Sequence, residues 1–303
     1  MPQLTLALDW TPNINHIGFF VAREKGFYND LGIDLHILDP SADQYAATPA
    51  KKVEWGQADL ALCPTESVIS YRTKQTPFDL IGIGTIFQHD LSAIAVLAKG
   101  KINRPRDLDG KKYASYQARY EDEIVRQMIQ NDGGSGQFEI EYPAKLGIWE
   151  TILDRQFDAT WIFLNWEGVA AENLGVSLRL FNMRDYQVPY SYSPLIAASN
   201  QKIQSMPDLY RAFLQATRKG FLFAQDHPTQ AITVLQPLLS ESDQGINLTK
   251  ALALSTPAFG TPDNWGQMAL SEVDQFLLWL RKKGLESTPL TSSELVTNAF
   301  LPS

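Results

Sequence analysis

Apolar and polar residues alternate along Leu4-Thr5-Leu6-Ala7-Leu8, the period-two pattern of a strand with one buried face. A polar turn runs from Asp9 to His16. Apolar residues then recur at helical spacing through Phe19, Phe20, Val21 and Ala22, and Gly26 stands where a helix would stop. After Gly32 the segment Ile33-Asp34-Leu35-His36-Ile37-Leu38 alternates again. Strand, helix and strand at this spacing predict a βαβ unit, with two parallel strands and a right-handed crossover. Further strand-like runs fall at 58–62, 80–86, 93–98, 113–115, 138–142, 159–164, 178–181 and 195–198. Between them, Ile124, Val125, Met128 and Ile129 share one face of a predicted helix over 121–130, which Gly133-Gly134 halts. From Pro207 onward the period changes. Tyr210, Phe213, Leu214, Thr217 and Phe221 mark one helix, and Val273, Phe276, Leu277 and Leu280 mark another that Gly284 ends. The pattern predicts an α/β protein whose largely helical tail packs onto its sheets.

Composition narrows the class. At 303 residues and 44% hydrophobic, the chain can build a sizeable core as one large domain or two ordinary ones. Disordered, collagen-like and disulfide-stapled chains are excluded. The net charge of −8 with no basic run argues against nucleic acid as a partner. Cys63 is the only cysteine, which leaves no internal disulfide and no cysteine metal cluster. His16, His36, His89 and His227 lack the short spacings of a zinc site. No apolar run reaches the roughly 18–20 residues of a transmembrane segment. The first residues carry no basic segment, so they read as a strand and not as a signal peptide. The expected location is periplasmic or cell-surface if a leader is removed, and cytoplasmic if Met1 is the native start.

In open α/β sheets, ligands sit beyond the carboxyl ends of strands. Several predicted strand ends carry side chains that a loop does not need for folding. Asp9, Trp10 and Asn13, with His16 beyond them, follow the first strand. Tyr116 follows 113–115. Asn165, Trp166 and Glu167 follow 159–164, and Tyr190 and Tyr192 precede Leu195. Flat rings stack on flat rings and carboxylates accept bonds from amino groups, so the set suits a planar, nitrogen-rich ligand. Each residue also has a plain structural reading. Trp10 and Trp166 could fill the core, Asn165 could cap a helix with Glu167 in its first turn, and His16 could serve a helix N-terminus. Of Tyr190 and Tyr192, which alternate, one could face the core. Glu66 and Asp90 read most simply as solvated or capping residues. Catalytic signatures are missing. Gly82-Ile83-Gly84 is an isolated pair inside a strand pattern, and there is no Gly-x-Ser-x-Gly elbow. A Cys63–His89 nucleophile pair is set aside, because a lone thiol after a buried strand is usually a small apolar residue.

The segment Leu8-Asp9-Trp10-Thr11-Pro12-Asn13-Ile14-Asn15-His16-Ile17-Gly18, followed by Val21-Ala22-Arg23-Glu24-Lys25-Gly26-Phe27-Tyr28, resembles the opening of substrate-binding proteins for pyrimidine precursors of thiamine. The likeness continues through Asp107-Leu108-Asp109-Gly110-Lys111-Lys112-Tyr113-Ala114, Asn131-Asp132-Gly133-Gly134, Asp158-Ala159-Thr160-Trp161-Ile162, Asn165-Trp166-Glu167-Gly168, Tyr192-Ser193-Pro194-Leu195-Ile196 and Thr297-Asn298-Ala299-Phe300-Leu301-Pro302. It implies a type II periplasmic-binding-protein fold, with residues 1–90 plus 195–303 as one lobe, 91–194 as the other, and a hinged ligand cleft between them. It also implies an ABC transporter permease as partner and an aminopyrimidine-like ligand. The same superfamily holds fungal and plant synthases that build hydroxymethylpyrimidine from pyridoxal phosphate and their own histidine, with iron. Their imine-forming lysine falls at Cys63 and their histidine at Ser67, and their cysteine-rich stretch falls at 190–196, which has no cysteine. The resemblance therefore points to a binder, with no catalytic residue, cofactor or metal; the alternatives are a diverged synthase-like enzyme and a cytosolic ligand carrier or sensor. Two stretches depart from the transporter pattern. Leu62-Cys63-Pro64-Thr65-Glu66-Ser67 replaces a segment that often carries tyrosine and glutamine, and Tyr116-Gln117-Ala118-Arg119 lacks the usual small residues. The expected mechanism has Trp10 and either Tyr190 or Tyr192 gripping a flat ring. Glu167 and Asp9 accept from its amino groups, Asn13 and His16 add polar contacts, and the two carboxylates disfavour an anionic ligand.

Overall fold

A computed structural model describes residues 1–302; Ser303, the last residue of the expected first lobe, lies outside them. Two five-stranded sheets form, each at the heart of one α/β lobe. The first contains β1 (Gln3–Ala7), β2 (Asp34–Leu38), β3 (Leu60–Cys63), β4 (Leu80–Thr85) and β10 (Leu195–Ser199), in the order β2-β1-β3-β10-β4. The second contains β5 (Ser92–Leu97), β6 (Lys112–Ala114), β7 (Glu139–Glu141), β8 (Ala159–Phe163) and β9 (Leu178–Phe181), in the order β7-β6-β8-β5-β9. The plan is the same in both. In the first sheet β1 runs parallel to β2 and β3, and β10 runs antiparallel to β3 and β4. In the second, β6 runs parallel to β7 and β8, and β5 runs antiparallel to β8 and β9. The chain passes from the first sheet to the second after β4 and returns before β10.

The alternation at the N-terminus gives the expected pairing. Leu4 and Leu6 are buried and pair in register with Leu35 and Ile37. Strands β3, β4 and β10 are buried throughout, as strands covered on both faces should be. The helix Ile17–Glu24 ends where Gly26 takes φ +76, a left-handed conformation that glycine adopts without a Cβ clash. The helix Pro207–Asp226 buries Tyr210, Phe213, Leu214, Thr217 and Phe221 against the helix Ile17–Glu24, and the Tyr28 hydroxyl meets Thr217 Oγ1 at 2.8 Å. Val273, Phe276, Leu277 and Leu280 form the buried face of the helix Leu270–Lys282. That helix reaches the second lobe's loops, for Phe276 stands edge-on to Tyr190 and Tyr120, with ring centroids 5.6 and 6.4 Å away.

Candidate functional site

A cavity of about 440 Å³ opens where the carboxyl ends of β1, β3, β6 and β8 face one another across the lobes. That is where open α/β sheets place their ligands. Asp9, Trp10 and Asn13 reach it from β1, and Cys63, Glu66 and Ser67 from β3. Tyr116 and Glu121 come from β6, and Phe163, Trp166 and Glu167 from β8. Tyr190 closes the wall on the return strand.

Asp9 is held from behind. His16 is fully buried, its Nδ1 accepts the Asn13 backbone N–H at 3.3 Å, and its Nε2 stands 2.8 Å from Asp9 Oδ1. An Nδ1 that accepts leaves the ring proton on Nε2, so the histidine donates to Asp9 and fixes that carboxylate. Asn13 Oδ1 accepts from the Asn15 N–H at 2.8 Å, capping the turn Ile14–His16. Its side-chain NH2 is thus the group Asn13 can offer the cavity.

The Trp10 ring is braced by phenols from both sides of the cleft. Tyr116 meets it edge-on with centroids 5.7 Å apart, and Tyr45 lies tilted at 6.1 Å. Tyr45 also donates its hydroxyl to the Asp9 carbonyl. The loops that carry these tyrosines are conformationally costly. Gln44 and Tyr45 take φ of +52 and +60, and Gln117, next to Tyr116, takes +61. A left-handed backbone costs a residue with a side chain energy that the surrounding packing must supply. Opposite, Tyr190 lies edge-on to Trp161 at 5.1 Å.

Buried carboxylates dominate the electrostatics. Glu167 is 5% exposed and accepts the Phe163 N–H at 2.8 Å; burial pushes its carboxyl up to about 7, against the pull of its backbone bonds. Glu121 accepts the Tyr113 hydroxyl at 2.7 Å and the N–H groups of Tyr116 and Ala118, and burial again raises it to about 7. Glu66 accepts the Tyr190 hydroxyl at 3.1 Å and the Tyr120 N–H at 3.2 Å, and burial raises its pKa as well. Two cations face them. Lys145 lies over the Tyr45 ring at 5.1 Å with its pKa lowered by burial, and Arg119 is engaged by Glu286 at 2.8 Å. Burial also pushes the Cys63 thiol far up, which makes it a neutral wall group.

Of the nine expected site residues, Asp9, Trp10, Asn13, Tyr116, Trp166, Glu167 and Tyr190 meet at the cavity. His16 and Tyr192 do not. His16 spends both ring nitrogens on Asn13 and Asp9, one layer behind the wall. Tyr192 turns its hydroxyl to the Ala269 N–H at 2.8 Å, away from the cleft, and so cannot grip a ring beside Trp10. Asn165 caps nothing. Its Nδ2 donates at 2.7 Å both to Asn15 Oδ1 in the first lobe and to Ser255 Oγ, so it ties the lobes together. Asp90 caps no helix; it accepts from the Ser92 N–H and hydroxyl in a turn that leads into β5. Glu66 is not solvated, being 4% exposed. Tyr45 and Lys145 gave no signal in the sequence, because each reaches the cleft from an irregular loop.

Cys63 stands where the imine-forming lysine of the synthases would fall, and the amine at the cavity is Lys145 instead, over the Tyr45 ring. Iron does not fit these residues. No histidine lines the cavity, and among the described residues no group of three or more His, Cys, Asp and Glu could hold a metal ion. Among the described residues no helix is long and apolar enough to cross a membrane.

A family model described as NMT1/THI5 like matches residues 13–231. The formylaminopyrimidine-binding protein of Halalkalibacterium halodurans is 26% identical over 239 residues, covering 78% of this chain and 70% of that one. The 4-amino-5-hydroxymethyl-2-methylpyrimidine phosphate synthase of Legionella pneumophila is 25% identical over 236 residues, covering 77% and 72%. Among solved structures, the alkanesulfonate-binding protein SsuA from Xanthomonas axonopodis pv. citri, bound to MOPS, superposes with a TM-score of 0.73 at 14% identity, covering 97% and 98%. This last likeness shows the periplasmic-binding-protein fold.

Proposed function

The chain belongs to the NMT1/THI5-like family, and on that footing we propose that it is a solute-binding protein that closes over a flat aminopyrimidine-like thiamine precursor and releases it unchanged. In this reading residues 1–90 plus 195–303 form one lobe and 91–194 the other, and an ABC permease receives the ligand. The observation that carries the reading is the cavity itself. Trp10 presents a ring braced from both lobes, while Asp9 and Glu167 stand at its wall as acceptors. The ligand ring stacks on Trp10 with Tyr190 as the facing wall, Asp9 and Glu167 take its amino hydrogens, and Asn13 donates to a ring nitrogen. Tyr116 and Trp166 complete the enclosure. A ligand that touches both lobes favours their closed arrangement. The formylaminopyrimidine-binding relative supports the ligand class.

Calorimetry with formylaminopyrimidine and with 4-amino-5-hydroxymethyl-2-methylpyrimidine tests this, alongside native mass spectrometry of the freshly purified protein. Binding of either at about micromolar strength or tighter is expected. If neither binds and no small molecule co-purifies, the reading falls. The relative named as a synthase makes chemistry the competing reading. Incubation with pyridoxal phosphate and ferrous iron, followed by intact-mass measurement, separates the two: a modified histidine would establish an enzyme.

A further inference from the structure

The turn between β6 and the eleven-residue helix Glu121–Asn131 faces the cavity, and four of its amide hydrogens, those of Tyr116, Gln117, Ala118 and Tyr120, are already engaged. The N–H groups of Tyr116 and Ala118 donate to the two oxygens of Glu121 at 3.1 and 3.2 Å, and the Tyr120 N–H donates to Glu66 at 3.2 Å. The Gln117 N–H goes to Ser115 Oγ at 3.0 Å. Free amides at the start of a helix are a ready acceptor for phosphate or sulfonate oxygens, because the helix dipole and the N–H groups point the same way. In this chain two of its own carboxylates take the amides of the turn that leads into the helix instead. Glu121 is 2% exposed, and a third donor, the buried Tyr113 hydroxyl at 2.7 Å, holds it from below.

We propose that Glu121 is a specificity-determining residue of the cleft: its carboxylate holds the amide hydrogens that a phosphorylated ligand would engage, so the neutral pyrimidine alcohol is accepted and its phosphate ester refused. The proposal rests on the aminopyrimidine reading for its ligand, and on the geometry of the turn alone for its mechanism. An incoming phosphate must either displace a carboxylate that three donors hold or stand beside it in a cavity that screens charge poorly, where Lys145 already answers Glu121 and Arg119 is engaged by Glu286. Like charges set together at a binding surface oppose association. A carboxylate that merely braced the loop would serve both ligands equally. The ratio of the two affinities therefore separates bracing from selection.

The test is calorimetry of wild type and Glu121→Gln with 4-amino-5-hydroxymethyl-2-methylpyrimidine and with its phosphate ester, at fixed ionic strength. Wild type should prefer the alcohol by about a hundredfold or more, and Glu121→Gln should narrow that ratio about tenfold or more. A variant that binds the alcohol with the ratio unchanged would overturn the proposal, as would a wild type that takes the ester as tightly as the alcohol. If wild type binds neither pyrimidine, the functional reading fails, and inorganic phosphate decides the inference. Thermal stabilisation by phosphate in Glu121→Gln but not in wild type supports it; equal response in both overturns it. Should Glu121→Gln not fold, refolding is compared with and without inorganic phosphate. Recovery in phosphate alone supports the proposal, and no recovery in either condition overturns it.

Discussion

Between the helices Ile17–Glu24 and Pro207–Asp226, Gly18 and Gly220 bring two backbones so close that a Cβ on Gly220 would overlap the Gly18 carbonyl and lie 2.8 Å from Ala22 Cβ. Around that contact Phe19, Phe213, Phe221, Phe259 and Trp265 are buried, with Phe221 and Phe259 centroids 4.9 Å apart. Between the sheets, by contrast, Glu66, Glu121 and Glu167 lie buried at raised pKa, and the loops that hold Tyr45 and Tyr116 carry left-handed residues. The first region meets the general rule that interiors are apolar and close-packed. The second breaks it with charged groups taken out of water, which destabilise the fold unless partnered. The difference teaches where the molecule has stability to spare: the helical layer supplies what the cleft gives up for a prearranged set of acceptors.

The largest way to separate the regions is Gly220→Ala. Overpacking a contact with no room should cost about 3 kcal/mol or more, read as a fall of several degrees in thermal unfolding. Affinity of the folded fraction for the pyrimidine should stay within about twofold of wild type, since no cavity residue moves. A large loss of affinity in folded protein would mean that the two regions are not independent.

Glu167→Gln should do the reverse. Losing a charged acceptor weakens binding about ten- to hundredfold, while unfolding without ligand shifts little or upward because a desolvated carboxylate is gone. Unchanged affinity by calorimetry would remove Glu167 from the site. The same variant reads out pH dependence. The pKa values of Asp90, Glu121 and Glu167 are about 7 when folded, raised chiefly by burial. A raised acid binds its proton more tightly in the folded state. Its contribution is therefore complete below the unfolded value near 4 and is lost as pH climbs toward 7. The ligand-free protein should be more stable at pH 5.5 than at pH 8, by roughly 1–2 kcal/mol for each group, and Glu167→Gln should lose one group's share of that slope. A Tm that rises with pH over this range in wild type would show that the burial is not felt.

Much of the fold could be read because its signals are local and repeated. The alternation at Leu4–Leu8, the apolar face of 121–130 and the stops at Gly26 and Gly284 each correspond to an observed strand, helix or turn. The cavity was legible where a residue follows a strand end directly, as Trp10, Tyr116 and Glu167 do. It was illegible where position depends on the neighbouring lobe. Glu66 looks like an ordinary first-turn acid until Tyr120 and Tyr190 close over it, and nothing in 40–48 signals that Tyr45 turns inward against Trp10. The alternating pair Tyr190 and Tyr192 shows the limit best. Period two says that they face opposite ways, and only the packing of the C-terminal segment says which one faces the cleft.

That pair gives the smallest and sharpest test. The Tyr192 hydroxyl accepts one hydrogen bond, from the N–H of Ala269, an exposed residue, and Tyr192 is 8% exposed. In Tyr192→Phe the ring still packs, water replaces the lost acceptor, and stability should fall by about 1 kcal/mol or less, with affinity unchanged. Tyr190→Phe removes the hydroxyl that donates to Glu66 at 3.1 Å, where both residues are almost wholly buried. The carboxylate is left one donor short, its charged form is further disfavoured, and affinity should drop several-fold while the Trp161 contact persists. Calorimetry on the two variants in parallel decides it. Equal affinities would show that the Tyr190 hydroxyl and its bond to Glu66 do not matter to the ligand, and a loss in Tyr192→Phe alone would mean that the segment 190–194 turns the other way when ligand is bound.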